Sequence, residues 1–275
     1  MAFQDEAVTL YQGNALQGLI WLAASGMAGM VDACVTDPPY SSGGTFRGDR
    51  TQATSKKYFD DESVASSSVA DFMGDNRDQR SYQAWTVWWM EQVLQLLTPG
   101  GVLAAFCDWR QAPTISDALQ LAGAVWRGTA VWHKPNGRRF LSRFGVMAEY
   151  IQWGTRGPRG EVEGVGALPS VFTHSTQVQG KVHQTQKPLA LMEQLCAIAP
   201  PGGLILDPFA GSGTTLLAAR NTGRRAIGFE LSPEIAAVAA ARLRDAPPAL
   251  VVGDVADTAR PSPASAPPAL LPLLE

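Results

Sequence analysis

The chain has little cysteine, little histidine and no long apolar run, and each shortage closes a class of function. Its 275 residues hold three cysteines (Cys34, Cys107, Cys196) and three histidines (His133, His174, His183). Their spacing gives neither a disulfide framework nor a set of metal ligands, so no bound metal is expected. The longest apolar stretch, Gly18 to Val31, is interrupted by Ser25, Gly26 and Gly29, which is too short and too broken to cross a bilayer. The opening Met1-Ala-Phe-Gln-Asp-Glu lacks a basic flank followed by an apolar run. A cytoplasmic location with no membrane partner is the expectation. Charged residues make up only 17% of the chain and hydrophobic ones 45%. These proportions exclude a disordered chain and suit one domain with a buried sheet.

Acid slightly exceeds base, for a net charge of −3, but the charges are segregated. Between Arg127 and Lys187 stand nine basic residues against three acidic ones, Glu149, Glu161 and Glu163. One phosphate-facing surface on a globular body would give that pattern, and so would a solvated basic loop.

Seven short apolar runs read as strands: Val8–Tyr11, Ala33–Thr36, Val102–Cys107, Thr129–His133, Tyr150–Trp153, Leu204–Leu206 and Ala226–Phe229. Several are apolar at nearly every position, as in strands covered on both faces. Helical patterns lie between them. Ala84 to Leu97 places Trp85, Trp88, Trp89, Val93, Leu96 and Leu97 on one stripe, which predicts a core-facing helix that stops at Thr98-Pro99-Gly100-Gly101. Leu189 to Ala199 follows Pro188, and Ser232-Pro233-Glu234 has the cap, proline and acid of a helix start. The alternation predicts a doubly wound, mostly parallel seven-stranded α/β sheet over residues 1–245. Residues 41–80 read as a long mobile loop, 155–182 as a small recognition insertion, and the proline-rich 246–275 as a tail.

Two motifs carry chemistry. Asp207-Pro-Phe-Ala-Gly-Ser-Gly-Thr-Thr215 follows an apolar strand and opens a helix, and Gly211 and Gly213 let the backbone turn sharply beside a ligand. No lysine follows the glycines, and Leu216 stands where a third dinucleotide-loop glycine would be, so neither a triphosphatase nor a dinucleotide site is expected. Glu230, ending the next strand, is placed to accept hydroxyl protons from a ribose. The second motif is Asp37-Pro38-Pro39-Tyr40. Asp37 and the Pro38 carbonyl can accept both protons of an amino group on a flat base, with Tyr40 stacked on its face.

Together these segments resemble the S-adenosylmethionine-dependent amino-group DNA methyltransferases, the N6-adenine and N4-cytosine enzymes. Asp37-Pro-Pro-Tyr40 is similar to their catalytic motif and Asp207 to Thr215 to their cofactor loop. His183-Gln-Thr-Gln-Lys-Pro188, Leu97-Thr-Pro-Gly-Gly-Val102, Trp132-His-Lys-Pro-Asn136 and Glu149-Tyr-Ile-Gln-Trp153 resemble further blocks, and the catalytic motif preceding the cofactor loop is the order of the β group. The resemblance implies S-adenosylmethionine as cofactor, held by Asn14, Asp37, Gln184, Thr185, Gln186 and Lys187. It adds the loop residues Asp207, Pro208, Phe209, Ala210, Gly211, Ser212, Gly213 and Thr214, with Glu230 on the ribose. Asn14 departs from the family, which usually has an acid there. The resemblance also implies double-stranded DNA as partner, a homodimer, and methylation of adenine N6 after base flipping, because many N4-cytosine members carry serine where this chain has Asp37. N4-cytosine methylation and an inactive DNA-binding relative are the alternatives. A C5 mechanism is excluded because no Pro-Cys pair is present. Arg47, Arg50, Lys56, Lys57, Lys134, Arg138, Arg139 and Arg143 are the phosphate-contact candidates, the first four making the 41–80 loop DNA-facing.

Overall fold

The computed structural model describes residues 1–40, 77–176 and 186–246. Nine strands form one sheet in the order β1-β2-β9-β8-β3-β4-β6-β5-β7. Its central strands are β3 (Val31–Thr36), β4 (Leu97–Cys107), β8 (Leu204–Asp207) and β9 (Arg225–Glu230), and β2 (Val8–Gln12) lies beyond β9. All of these run parallel to their neighbours in that block. β5 (Val125–Arg138) and β6 (Val146–Thr155) form an antiparallel hairpin that continues the sheet from β4.

All seven expected strands are present, most of them longer than their apolar cores. The expected count of seven is corrected to nine by β1 (Phe3–Gln4) and β7 (Val171–Thr173). A strand of two or three residues is too short to show a period. β7 lies inside the stretch read as irregular, where it pairs parallel to β5.

Helices α1 (Ala15–Leu22), α2 (Gln79–Leu96), α3 (Ala112–Leu121), α4 (Leu189–Cys196), α5 (Thr214–Asn221) and α6 (Pro233–Asp245) cover the sheet. They form two apolar layers, one on each face. β3 is buried along its whole length, which explains why it is apolar at most positions. Its one acid, Asp32, is occupied by the backbone N–H of Leu204 at 2.8 Å.

α2 begins five residues before the expected Ala84, because Gln79-Arg-Ser-Tyr-Gln83 is too polar to extend the apolar stripe. Within that stripe Trp89 is core, Trp85 is half-buried, and Trp88 is 58% exposed, so Trp88 does not belong to the core. Leu97 opens β4 instead of ending the helix. Among the described residues no helix is long and apolar enough to cross a membrane.

β8 leads through α5 to β9 on one side, and β3 leads through α2 to β4 on the other. Chain direction across the sheet therefore reverses between β8 and β3. In open α/β sheets the crevice at the carboxyl ends of such strands is where ligands bind. Asp207 ends β8 and Asp37 follows β3, so both motifs open onto this crevice.

Candidate active site

The β8 end is built around a buried carboxylate. Asp207 Oδ1 accepts the Thr36 hydroxyl at 2.6 Å and the Phe209 backbone N–H at 3.1 Å. Burial nevertheless dominates and pushes the Asp207 carboxyl up to about 6. The chain then turns through Gly211 (φ +51°) and Gly213 (φ +76°), a conformation that a side chain makes costly. A Cβ on Gly211 would meet nothing within 4 Å, so the backbone here borders open space. Gly213 is different, since a Cβ there would touch Ala239 at 3.4 Å and Leu243 at 3.7 Å. It is a turn and packing position against α6 and does not line the cleft described below. Across the turn, Glu230 accepts the backbone N–H of Gly211 at 2.9 Å and of Ser232 at 2.8 Å. Burial raises its carboxyl, against the pull of those donors.

Beside this turn lies a buried ionic cluster. The Lys187 ammonium is paired with Asp37 and with Glu149 Oε2 at 3.3 Å, its side chain only 9% exposed. The Tyr40 hydroxyl donates to Asp37 Oδ1 at 2.6 Å and lies 3.2 Å from Glu149 Oε2. Lys134 closes the group on Glu149 Oε1 at 3.0 Å. The rings of Phe106, Tyr40 and Trp132 stand 5.0, 5.7 and 6.0 Å from the Lys187 nitrogen. Burial alone would lower the lysine, but Asp37 and Glu149 outweigh it and hold it charged. The two lysines likewise overcome burial at Glu149 and hold it ionised. Asp37 goes the other way, because burial and the neighbouring Glu149 charge exceed the help from Lys187. The cluster balances two carboxylates with two ammonium groups, with Asp37 shifted toward its protonated form and Glu149 toward its ionised one.

Both features open on one cleft of about 1110 Å³. Asn14, Asp37, Pro38, Pro39, Tyr40, Gln186, Lys187, Asp207 through Ser212, Thr214 and Glu230 all line it. Gln184 and Thr185 fall outside the described residues. Asn14 caps α1, its side-chain oxygen accepting from Gln17 N at 3.3 Å. Phe209 packs at 5.4 Å from Trp85 and 5.3 Å from Trp89, giving the cleft an aromatic wall. The buried indole N–H of Trp89 has no partner among the described residues.

Sequence reasoning missed Glu149 as a site residue. The available signal was an acid standing almost alone in a basic span, at the end of an apolar strand. It also missed Trp85 and Trp89, whose helical stripe reads as core.

The basic span does not form one face. Arg127 bonds the Thr155 hydroxyl and Arg159 the carbonyls of Gly100 and Ile198, while Arg156 holds the Leu97 carbonyl. These three are structural ties around the turn after β6. Lys134, expected to meet phosphate, has a side chain only 12% exposed and is paired inside the cluster. Arg138, Arg139 and Arg143 remain, at the solvent-exposed end of the β5–β6 hairpin. Arg47, Arg50, Lys56 and Lys57 lie outside the described residues. No group of three His, Cys, Asp or Glu with metal-ligand geometry occurs among the described residues. The three cysteines are buried, and burial raises each thiol.

Comparison with known proteins decides the family. The N6/N4 DNA methylase model matches residues 31–162 and 167–241, well over half of the chain. The chain belongs to the N6/N4 DNA methylase family. It is 25% identical over 282 residues to the type II methyltransferase M.ScaI of Streptomyces caespitosus, covering 88% of this chain and 83% of that one. It is 26% identical over 268 residues to M2.MboI of Moraxella bovis, covering 90% and 91%. The M1.HpyAVI–SAM complex superposes with a TM-score of 0.63 at 25% identity, over 86% of this chain and 98% of that one. The cytosine-N4-specific PvuII DNA methyltransferase matches at TM-score 0.64 and 19% identity, over 88% of each chain, a likeness of fold alone.

This methylase uses S-adenosylmethionine as its methyl donor. The cleft fits that cofactor. It offers an acid at a strand end, an open backbone turn beside it and an aromatic wall at Phe209.

Proposed function

We propose that this methylase is a type II enzyme that methylates N6 of adenine in duplex DNA. The observation that carries the reading is the position of Asp37. It lies at the carboxyl end of β3, in the same cleft as the Asp207 glycine turn, with its acceptor oxygens fixed by Tyr40 and Lys187. The type II relatives support the DNA reaction. Aspartate at this position, where many cytosine-N4 members have serine, favours adenine.

When bound, S-adenosylmethionine supplies an electrophilic methyl on a sulfonium. Everything else is asked of the protein. An exocyclic amine is a poor nucleophile because its lone pair is delocalised into the ring. Asp37 and the Pro38 carbonyl accept its two N–H bonds and so favour the tetrahedral nitrogen of the transition state. Tyr40 offers a face for the extruded base, and the turn from Asp207 to Gly211 with Glu230 orients the donor, so that positioning lowers the barrier. Asp37, raised by burial, is also the nearest group able to take the amine's surplus proton at a carboxylate oxygen. The target must leave the duplex, which costs a few kcal/mol of stacking and pairing. Arg138, Arg139 and Arg143 hold the flanking phosphates. A homodimer reading a symmetric site completes the proposal, on the strength of the family resemblance.

The test is incubation with unmethylated duplex DNA and labelled S-adenosylmethionine, followed by nucleoside mass spectrometry. N6-methyldeoxyadenosine is expected. N4-methyldeoxycytidine would overturn the base assignment and keep the chemistry, and an unmodified DNA with bound cofactor would overturn the DNA reading.

A further inference from the structure

The hairpin of β5 and β6 ends in a turn, residues 139–145, with two apolar side chains almost wholly in water: Leu141 is 95% exposed and Phe144 101%. Single exposed apolar residues are ordinary on a folded body, but here two large ones stand nearly bare on one turn, a small apolar patch. The turn is also narrow and constrained. A Cβ on Gly137 would lie 2.6 Å from the Val146 carbonyl oxygen, and one on Gly145 2.8 Å from that of Arg138, so the two strands approach more closely than side chains permit. Ser142 takes a left-handed φ of +58°, the one non-glycine residue to do so among the described residues.

Charge identifies what meets this tip. Arg138, Arg139 and Arg143 surround it, with no acid between Lys134 and Glu149. The guanidinium groups of Arg138 and Arg143 lie 5.4 and 6.0 Å from the Phe140 ring. Arg138, Phe140 and Val146 line the rim of the same cleft that holds Asp37. A second copy of the chain is a poor occupant, because a two-fold interface would set these arginines against themselves. A polyanion with an apolar interior suits both features at once.

We propose that Leu141 and Phe144 form an apolar wedge that enters the base stack of duplex DNA beside the target nucleotide, with the arginines astride it on the phosphates. Apolar side chains inserted between base steps unstack them, and a slim arginine-flanked turn at the mouth of the cleft is shaped to do so. Filling the stack offsets the loss of stacking when the target base moves to Asp37. The wedge rests on the DNA reading given above and adds to it the element that opens the duplex.

Unmethylated phage DNA treated with the full chain and sequenced for modified bases supplies the target site. Duplexes containing it are then compared for the unsubstituted chain and for L141A/F144A, a variant whose changes touch no packed residue. With 2-aminopurine in place of the target base and no methyl donor, the unsubstituted chain is expected to raise fluorescence strongly. The variant is expected to bind within about threefold and to lose most of that rise. In turnover, the variant should lose about tenfold or more in kcat/KM on the paired target and much less when the target base is mispaired. Equal loss on paired and mispaired targets, or an undiminished fluorescence rise, overturns the wedge alone. A lower light-scattering mass for the variant without DNA overturns it by assigning the tip to a second copy. Failure of the unsubstituted chain to methylate any DNA overturns the functional reading, and the wedge with it.

Discussion

The Thr36 hydroxyl donates to Asp207 Oδ1 at 2.6 Å, joining two motifs that lie far apart in sequence. Thr36 ends β3 immediately before the Asp37 motif, and Asp207 ends β8 immediately before the glycine turn. The bond therefore fixes the register of one motif against the other. Thr36→Val keeps the shape and removes the donor. Leaving a buried carboxylate short of one partner costs about 1–3 kcal/mol, which should appear as a lower urea midpoint with an unchanged m-value. Methyl transfer should fall beyond what the lost stability explains. A variant with full activity and the original midpoint would show that the two turns hold their places without this contact.

Asp207 also makes a signed prediction about pH. Its carboxyl is held near 6 in the folded protein, above the ordinary aspartate value of 3.8 from which it starts. Between those values the folded state keeps a proton that the unfolded state has released. This group's contribution to stability is therefore full below about pH 4 and lost as pH rises toward 6, a swing on the order of 3 kcal/mol. Asp207→Asn should remove that decline, so that the variant gains on the parent protein as pH rises from 4 to 6.5. Denaturant midpoints across that range measure it, and parallel curves for the two proteins would place the titration elsewhere.

Gly18 lies in α1 where it passes over β9. Replacing a helical glycine with alanine ordinarily gains about 0.8–1 kcal/mol. Here an added Cβ would overlap the Phe229 ring, which is itself stacked on Tyr11 at 5.4 Å and buried. Overpacking of this kind costs roughly 1–3 kcal/mol and should outweigh the helix gain. Gly18→Ala is expected to melt several degrees lower, and a rise in Tm would mean that the ring yields easily.

How far the sequence carries depends on the length of the signal. The seven apolar strands, the Ser232 cap and both motifs are local patterns, and the structure has them where their periods and turn residues place them. β1 and β7 escape because their pairing is set by neighbours already in the sheet. Glu149, and the pairing of Lys187 with it and with Asp37, escape for another reason. This ion pairing arises only when β6 and the segment before α4 meet beside β3, and the isolated acid in a basic span is the one local sign of it. The basic span misleads for the same cause: Arg127, Arg156 and Arg159 are cations in sequence but structural ties in the fold, to the Thr155 hydroxyl and to backbone carbonyls.

Glu230 separates the ribose role from a purely structural one. Its carboxylate already holds the N–H groups of Gly211 and Ser232, and each oxygen keeps further acceptor capacity toward the cleft. Glu230→Ala should weaken S-adenosylmethionine binding by about ten- to a hundredfold, the loss of one or two charged hydrogen bonds. Calorimetric titration without DNA reads this directly, and unchanged affinity would confine Glu230 to shaping the turn.

Glu149 offers the sharpest test of the ionic cluster. Its negative charge helps raise Asp37, and it shares the Lys187 ammonium with Asp37. Glu149→Gln removes both effects, and both removals act in one direction. Without the neighbouring charge Asp37 ionises more easily, and with Lys187 left to a single carboxylate the pair tightens, lowering Asp37 again. The acid limb of the kcat profile should therefore move to lower pH. At the same time kcat on the plateau should fall by about tenfold, because a lysine committed to Asp37 competes with the amine for the same oxygens. Cofactor affinity should change much less than kcat, since Glu149 makes no hydrogen bond to the glycine turn or to Glu230. An acid limb that moves upward instead would mean that Glu149 does not act on Asp37, and a fall in kcat with no shift of the limb would reduce it to a packing role.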